Sequence, residues 1–134
     1  MNEKKKKEPG EELDKLAYEV IGAAMEVHRA LGPGYLESVY EEALCVEFRE
    51  RGISFERQFE IAIDYKGHAV GKGRLDLLVE NKLVVELKTI EHFAPIHKAQ
   101  AISYLKATGL ELALLINFNV PLVKEGVKRV VLTK

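Results

Sequence analysis

"GRLDLLVENKLVVELKT" (residues 73–89) decides the fold, because it holds two short apolar runs of strand character joined by a polar turn. Leu75, Leu77 and Val79 alternate along the first run, and Leu83, Val85 and Leu87 along the second. Directly opposed residues of an antiparallel pair share a face, and a slip of one residue turns every side chain over. The register that gathers all six on one face sets Val79 opposite Leu83. It leaves Glu80, Asn81 and Lys82 as a three-residue loop, in which asparagine tolerates positive φ. In that register Asp76 opposes Glu86 on the other face, with Lys88 two positions beyond and Leu78 and Val84 alongside. Two carboxylates about 4 Å apart repel by roughly 4 kcal/mol at an effective dielectric of about 20. Lys88 offsets part of that repulsion, and oxygen donors from two strands also suit a hard divalent cation such as Mg2+. The plain alternative is a solvated charge cluster in which Lys88 only pairs with Glu86. The flanking Leu and Val residues favour the metal.

Upstream, Leu13, Leu16, Ala17, Val20, Ile21, Ala24, Val27 and Leu31 recur at helical spacing until "GPG" (32–34) stops them. A second helix follows, with Leu36, Val39, Tyr40, Ala43 and Phe48 on one side and its end near Gly52. The period then changes to two. Phe59, Ile61, Ile63 and Tyr65 mark a half-buried strand that turns at Lys66 and Gly67. Downstream, "PIHKAQAISYLKATG" (95–109) has proline suited to a first helical turn and glycine suited to a C-cap. "ELALLINF" (111–118) is a continuous apolar run, as in a strand covered on both faces, and "VKRVVLT" (127–133) reads as an edge strand. The order is ααβββαββ, an α/β domain over residues 11–134 whose mixed central sheet is flanked by helices. A frayed basic tail is expected over residues 1–10.

A chain of 134 residues fits one domain, able to bury roughly 68% of its unfolded surface. It is 47% hydrophobic and 31% charged, within the ordinary globular range. No apolar run approaches the ~20 residues of a membrane span, and "MNEKKKKEPGEE" lacks the apolar centre of a signal peptide. The single Cys45 excludes an intramolecular disulfide and points to a reducing, cytoplasmic setting; among Ala43, Leu44 and Val46 it reads as a buried structural thiol. With a net charge of -1, the whole molecule does not attract nucleic acid, so any such contact must be local. "GKGR" (71–74) lacks the length and helix of a phosphate-cradling loop, and its glycines are read as bending a strand. His28 reads as a core histidine, whereas His92 and His97 flank the region of interest without metal-ligand spacing.

"RLD" (74–76) followed by "ELK" (86–88) resembles the PD-(D/E)XK nuclease superfamily, and the element order from about residue 13 to 118 is similar to that family's core. Leu75 stands where the family name has proline. "GYLESVY" (34–40), within "EVHRALGPGYLESVYEEAL", looks like the Gly-x-x-Glu-x-x-Tyr signature of the small GxxExxY proteins of that superfamily. "QAISY" (100–104) resembles the Gln-x-x-x-Tyr motif of RecB-type nucleases, and its four-residue spacing puts Gln100 and Tyr104 on one helix face. The resemblance implies a restriction-endonuclease-like fold and metal-dependent hydrolysis of phosphodiesters. Asp76 and Glu86 would anchor Mg2+, with Mn2+ as a substitute; Glu37 would bind directly or through water, and the Leu87 carbonyl would complete the shell. Lys88 would orient the attacking water or stabilise the transition state. Gln100 and Tyr104 would hold the nucleic-acid backbone, while Tyr40 packs with its hydroxyl turned to the substrate site. The implied partner is nucleic acid, DNA favoured over RNA, with no membrane. The edge segment "VPLVKEGVKRVVL" (120–132) is a template for self-association. The alternative is a nuclease-like fold without activity that binds nucleic acid or a protein.

Overall fold

The first amphipathic repeat forms α1 (Glu11–Leu31), which turns Ala17, Val20, Ala23, Ala24 and Val27 inward. The "GPG" stop ends it, and α2 (Glu37–Arg51) buries Tyr40, Leu44, Cys45 and Phe48, whereas Leu36, expected on its apolar side, is the N-cap and stays exposed, as does Val39. In this computed structural model residues 10–132 are described; the tail expected over 1–10 lies, Gly10 apart, outside them. Then come β1 (Phe55–Tyr65), β2 (His68–Val79), β3 (Leu83–Lys88), α3 (Pro95–Thr108), β4 (Leu112–Asn117), a 3-10 turn (Val123–Gly126) and β5 (Val127–Val131). No helix among the described residues is long and apolar enough to cross a membrane.

The strands form one mixed sheet in the order β1-β2-β3-β4-β5. Neighbours are antiparallel except β3 and β4, which run parallel because α3 carries the chain across between them. On one face α1 and α2 contribute to a core with Leu77, Val79, Leu83, Val85, Leu87, Leu112, Leu114 and Ile116. On the other, Ala101 and Leu105 of α3 pack with Leu75, Leu78, Val84, Ala113 and Leu115. Strands β3 and β4 are covered on both sides, and β4 is buried throughout, so the continuous apolar run has its physical reason. Each fully buried Leu or Phe contributes about 1.5–3 kcal/mol. The expected mixed α/β architecture is the one observed, with β5 on the sheet edge.

The hairpin register is also as expected: Val79 opposes Leu83, Leu78 opposes Val84 and Leu77 opposes Val85. Both Glu80 and Asn81 take positive φ in the loop, and Lys82 N–H donates to the Val79 carbonyl at 2.9 Å. Glu80 tolerates this because its backbone N–H donates to the Ser54 carbonyl and its carboxylate accepts the Ser54 N–H.

Two expectations need correction. Strand β2 starts at His68, ahead of the quoted stretch, so "GKGR" belongs to a long ribbon with β1. Leu75 does not share a face with Leu77 and Val79; it packs with α3. Its partner Phe59 packs on that side too, whereas Phe55, opposite Val79, packs on the α1–α2 side. The alternation therefore turns over between Leu75 and Leu77, at Asp76, and across the ribbon at Gln58, whose φ is 49°. A backbone irregularity costs ladder bonds but re-aims side chains, which is why such distortions gather next to sites.

Candidate functional site

Continuing the β2–β3 register past Leu77 and Val85 would set Asp76 against Glu86 and Leu75 against Leu87, but the ladder stops there. Side chains take over. The Asp76 N–H donates to Oε2 of Glu86 at 2.9 Å, and the Leu87 N–H donates to Oδ2 of Asp76 at 2.8 Å. Each acid thus satisfies an amide of the neighbouring strand. One oxygen of each carboxylate, Oδ1 of Asp76 and Oε1 of Glu86, is left over from this exchange. The Leu87 N–H points toward β2, and in an extended strand the carbonyl of the same residue turns to the same side, toward the gap.

Electrostatics join four of the expected residues. Glu86 is buried, and desolvation, then repulsion from Asp76, push its carboxyl up to about 8; the Asp76 N–H and Lys88 pull the other way. Asp76, half-buried, is raised mainly by desolvation and further by Glu41, against the Leu87 N–H, Lys88 and the Gln58 amide. Glu37, on the rim at the first turn of α2, is raised by lost hydration and then by Asp76, with Lys88 opposing. Lys88 is half-buried and forms no ion pair within 4 Å among the described residues, so it is not spent on Glu86.

The donor chemistry suits a hard cation: carboxylate oxygens from two strands beside a carbonyl, at a depth where burial penalises uncompensated negative charge. Among the described residues no three His, Cys, Asp or Glu side chains stand together as a metal-ligand set. Glu37, expected to bind directly or through water, senses the charges of Asp76 and Lys88 from the first turn of α2. Two carboxylates still match the way Mg2+ is commonly held, with water and phosphate oxygens filling the remaining positions.

Gln100 is exposed on α3, and Tyr104, one turn later, is half-buried against β2. A Cβ on Gly73 would come within 3.0 Å of Cε1 of Tyr104, so glycine is what lets the ring lie on the strand. Tyr40 departs from expectation. It is fully buried, its ring stacks on Phe118 with centroids 4.5 Å apart, and its hydroxyl donates to the Gly32 carbonyl and accepts from the Tyr35 N–H. The tyrosine of the Gly-x-x-Glu-x-x-Tyr stretch fastens the α1–α2 turn, because a buried phenol must satisfy its hydroxyl locally. Tyr40→Phe should lower stability by about 1–3 kcal/mol in urea unfolding. Unfolding at the wild-type urea midpoint would free the hydroxyl from this fastening role.

Three contributors escaped the sequence reading. Glu41 lies one turn after Glu37, where i,i+4 spacing was the available signal; it is held by Arg57 Nε at 3.1 Å and by Gln58 Nε2 at 2.9 Å. Gln58 itself had no signal, since its role depends on the left-handed backbone at that position. Asn117, buried at the end of β4, grips the segment after Lys88: its Oδ1 accepts the Ile90 N–H at 3.1 Å and its Nδ2 donates to the Ile90 carbonyl at 2.8 Å. The polar end of an apolar run was the clue. His97 caps α3 by accepting the Ala94 N–H on Nδ1, and His28 binds the Phe118 carbonyl, so both are structural. Cys45 is free and buried.

A family model described as the PD-(D/E)XK nuclease superfamily matches residues 14–130. Neither curated proteins nor solved structures give a match.

Proposed function

The chain belongs to the PD-(D/E)XK nuclease superfamily, and from that premise we propose that it hydrolyses phosphodiester bonds of nucleic acid with a divalent cation held by Asp76 and Glu86. The crossed pair carries the reading: two acids from adjacent strands, each spending one oxygen on the other strand's amide. A carboxylate raised by burial and then by its acidic neighbour is a poor structural element, because charge without compensation costs stability.

Asp76 and Glu86 would hold Mg2+, or Mn2+ in its place, with the Leu87 carbonyl and Glu37, directly or through water, as the further donors. When bound, the cation lowers the pKa of its water and offsets charge on the phosphoryl oxygens. Glu86 must first release its proton, so its raised pKa makes loading favour neutral to alkaline solution. Lys88, which makes no ion pair among the described residues, supplies a fixed positive charge where negative charge gathers and orients the attacking water. Gln100 and Tyr104 donate to the backbone of the substrate and position it. Asn117 is a positioning residue, setting the path of the chain beyond Lys88.

Purified protein incubated with supercoiled DNA, single-stranded DNA or RNA in millimolar Mg2+ or Mn2+ should release products, and EDTA should stop the reaction. DNA is the substrate favoured. No product from any of the three, together with no heat of cation binding in calorimetry, would leave a nuclease-like binding module instead.

A further inference from the structure

Strands β3 and β4 each have six residues, yet β1 and β2 have 11 and 12. Strand β2 pairs with β3 only at Leu77, Leu78 and Val79, while its pairing with β1 continues to Tyr65 opposite His68. A two-stranded ribbon therefore leaves the sheet at Asp76. From there back to His68 it runs about 27 Å, at about 3.4 Å per residue. That matches about eight nucleotides along one strand of a duplex.

The two faces of this ribbon differ. Phe59, Ile61 and Ile63 pack toward α3, with Gly73 beneath Tyr104. The opposite positions carry Arg74 across from Glu60, and Lys72 across from Ala62. Lys72 lies 3.6 Å from Glu60, both side chains well exposed. Arg74 is exposed, two residues from Asp76, and makes no ion pair among the described residues. At the tip, Lys66 and Gly67 both take positive φ, as a two-residue hairpin turn requires, and Val70 is the extra residue of a bulge that twists the ribbon. Tyr65 and Val70 are 61% and 59% exposed, and the Lys66 amine sits 5.3 Å from the Tyr65 ring centroid. Glu60 and Asp64 are the acids of this surface, against Lys66, Lys72 and Arg74.

We propose that the β1–β2 ribbon is an arm that tracks the sugar-phosphate backbone of the substrate, with Arg74 as the contact nearest the paired acids and Lys72 and Lys66 further out. The proposal rests on the nuclease reading and extends it to a surface outside the chemistry. Cations stepping away from the site along a rigid ribbon give a polyanion a fixed line to follow, which a molecule with net charge -1 otherwise lacks. A ribbon of two strands is also narrow enough to enter a major groove.

The test is fluorescence anisotropy with a short labelled DNA duplex in EDTA, repeated over a salt series. Arg74→Ala should weaken binding about fivefold to tenfold and lower the slope of log K against log salt by about 1. Lys66→Ala with Lys72→Ala should lower it by about 2, and Arg74→Lys should keep the wild-type slope. Lys15→Ala, at the opposite end of the sheet beside Lys82, should change nothing. Wild-type binding with unchanged slopes in the arm variants would overturn the arm alone. Wild-type protein that binds no nucleic acid would overturn the nuclease reading and the arm together.

Discussion

Lys88→Ala should leave the proposed Mg2+-dependent cleavage about 10²–10³-fold below wild type, and Asp76→Ala should bring it to background, while both proteins should keep their circular dichroism spectra and cooperative unfolding. The size for Lys88 follows from removing one preorganised charge at the point where negative charge develops. Its side chain is unpaired among the described residues and its carbonyl accepts the Phe118 N–H at 2.9 Å, so the strand stays fixed when the amine is removed. Asp76→Ala has a second consequence. It frees the Leu87 N–H and removes the repulsion that adds to burial in raising Glu86. Cation affinity measured by calorimetry should therefore vanish in Asp76→Ala yet persist in Lys88→Ala. Undiminished cleavage by both variants, in preparations free of contaminating nuclease, would falsify the proposed site.

Without a divalent cation, Glu86→Gln should unfold on the order of 10 °C above wild type at about pH 9, and the two should converge at about pH 4. The cause is linkage. The folded state raises Glu86 from 4.5 to about 8, so it holds a proton that the unfolded chain releases more readily. Stability is then fully present below about pH 4.5, falls as pH rises toward about 8, and is level above that. At about 1.36 kcal/mol per unit, the shift sets an upper bound of about 5 kcal/mol, which relaxation around the acid reduces to a few. Glutamine matches the shape of the protonated acid and can still accept the Asp76 N–H, so it keeps the bond and loses the penalty. Asp76 and Glu37 are raised as well, which deepens the wild-type loss in the same direction. Mg2+ should restore wild-type stability at alkaline pH through mass action and do much less for Glu86→Gln. Thermal melts across pH, with and without Mg2+, read all of this; a wild-type midpoint that stays level from about pH 5 to 9 would remove the buried charge from the account.

Much of the molecule follows from local pattern. The period-three-and-four apolar positions mark α1 and α2, the alternating ones mark β1 and β3, and Pro95 with Gly109 brackets α3. These signals are legible because a helix or strand buries one face, and the chemistry of each residue records which face it is. The 79/83 register was legible for the same reason, since only one pairing keeps Val79, Leu83 and Val85 together. Asp76, Glu86 and Lys88 stood out because acids and an amine interrupted that pattern.

Tertiary structure decided what depends on contacts between distant segments. That Leu75 turns away from Leu77, that Gln58 adopts a left-handed backbone, and that each acid caps the other strand's amide follow from how β1, β2 and β3 meet. A regular alternation has no local mark telling it where to break. Tyr40 is the same lesson at one atom: its place on the apolar side of α2 marks it as a packing residue, but only the fold shows that Phe118, far along the chain, covers its ring and the Gly32–Tyr35 turn takes its hydroxyl. Spacing along a helix fixes which residues are neighbours; only the packed layers fix which of them meet water.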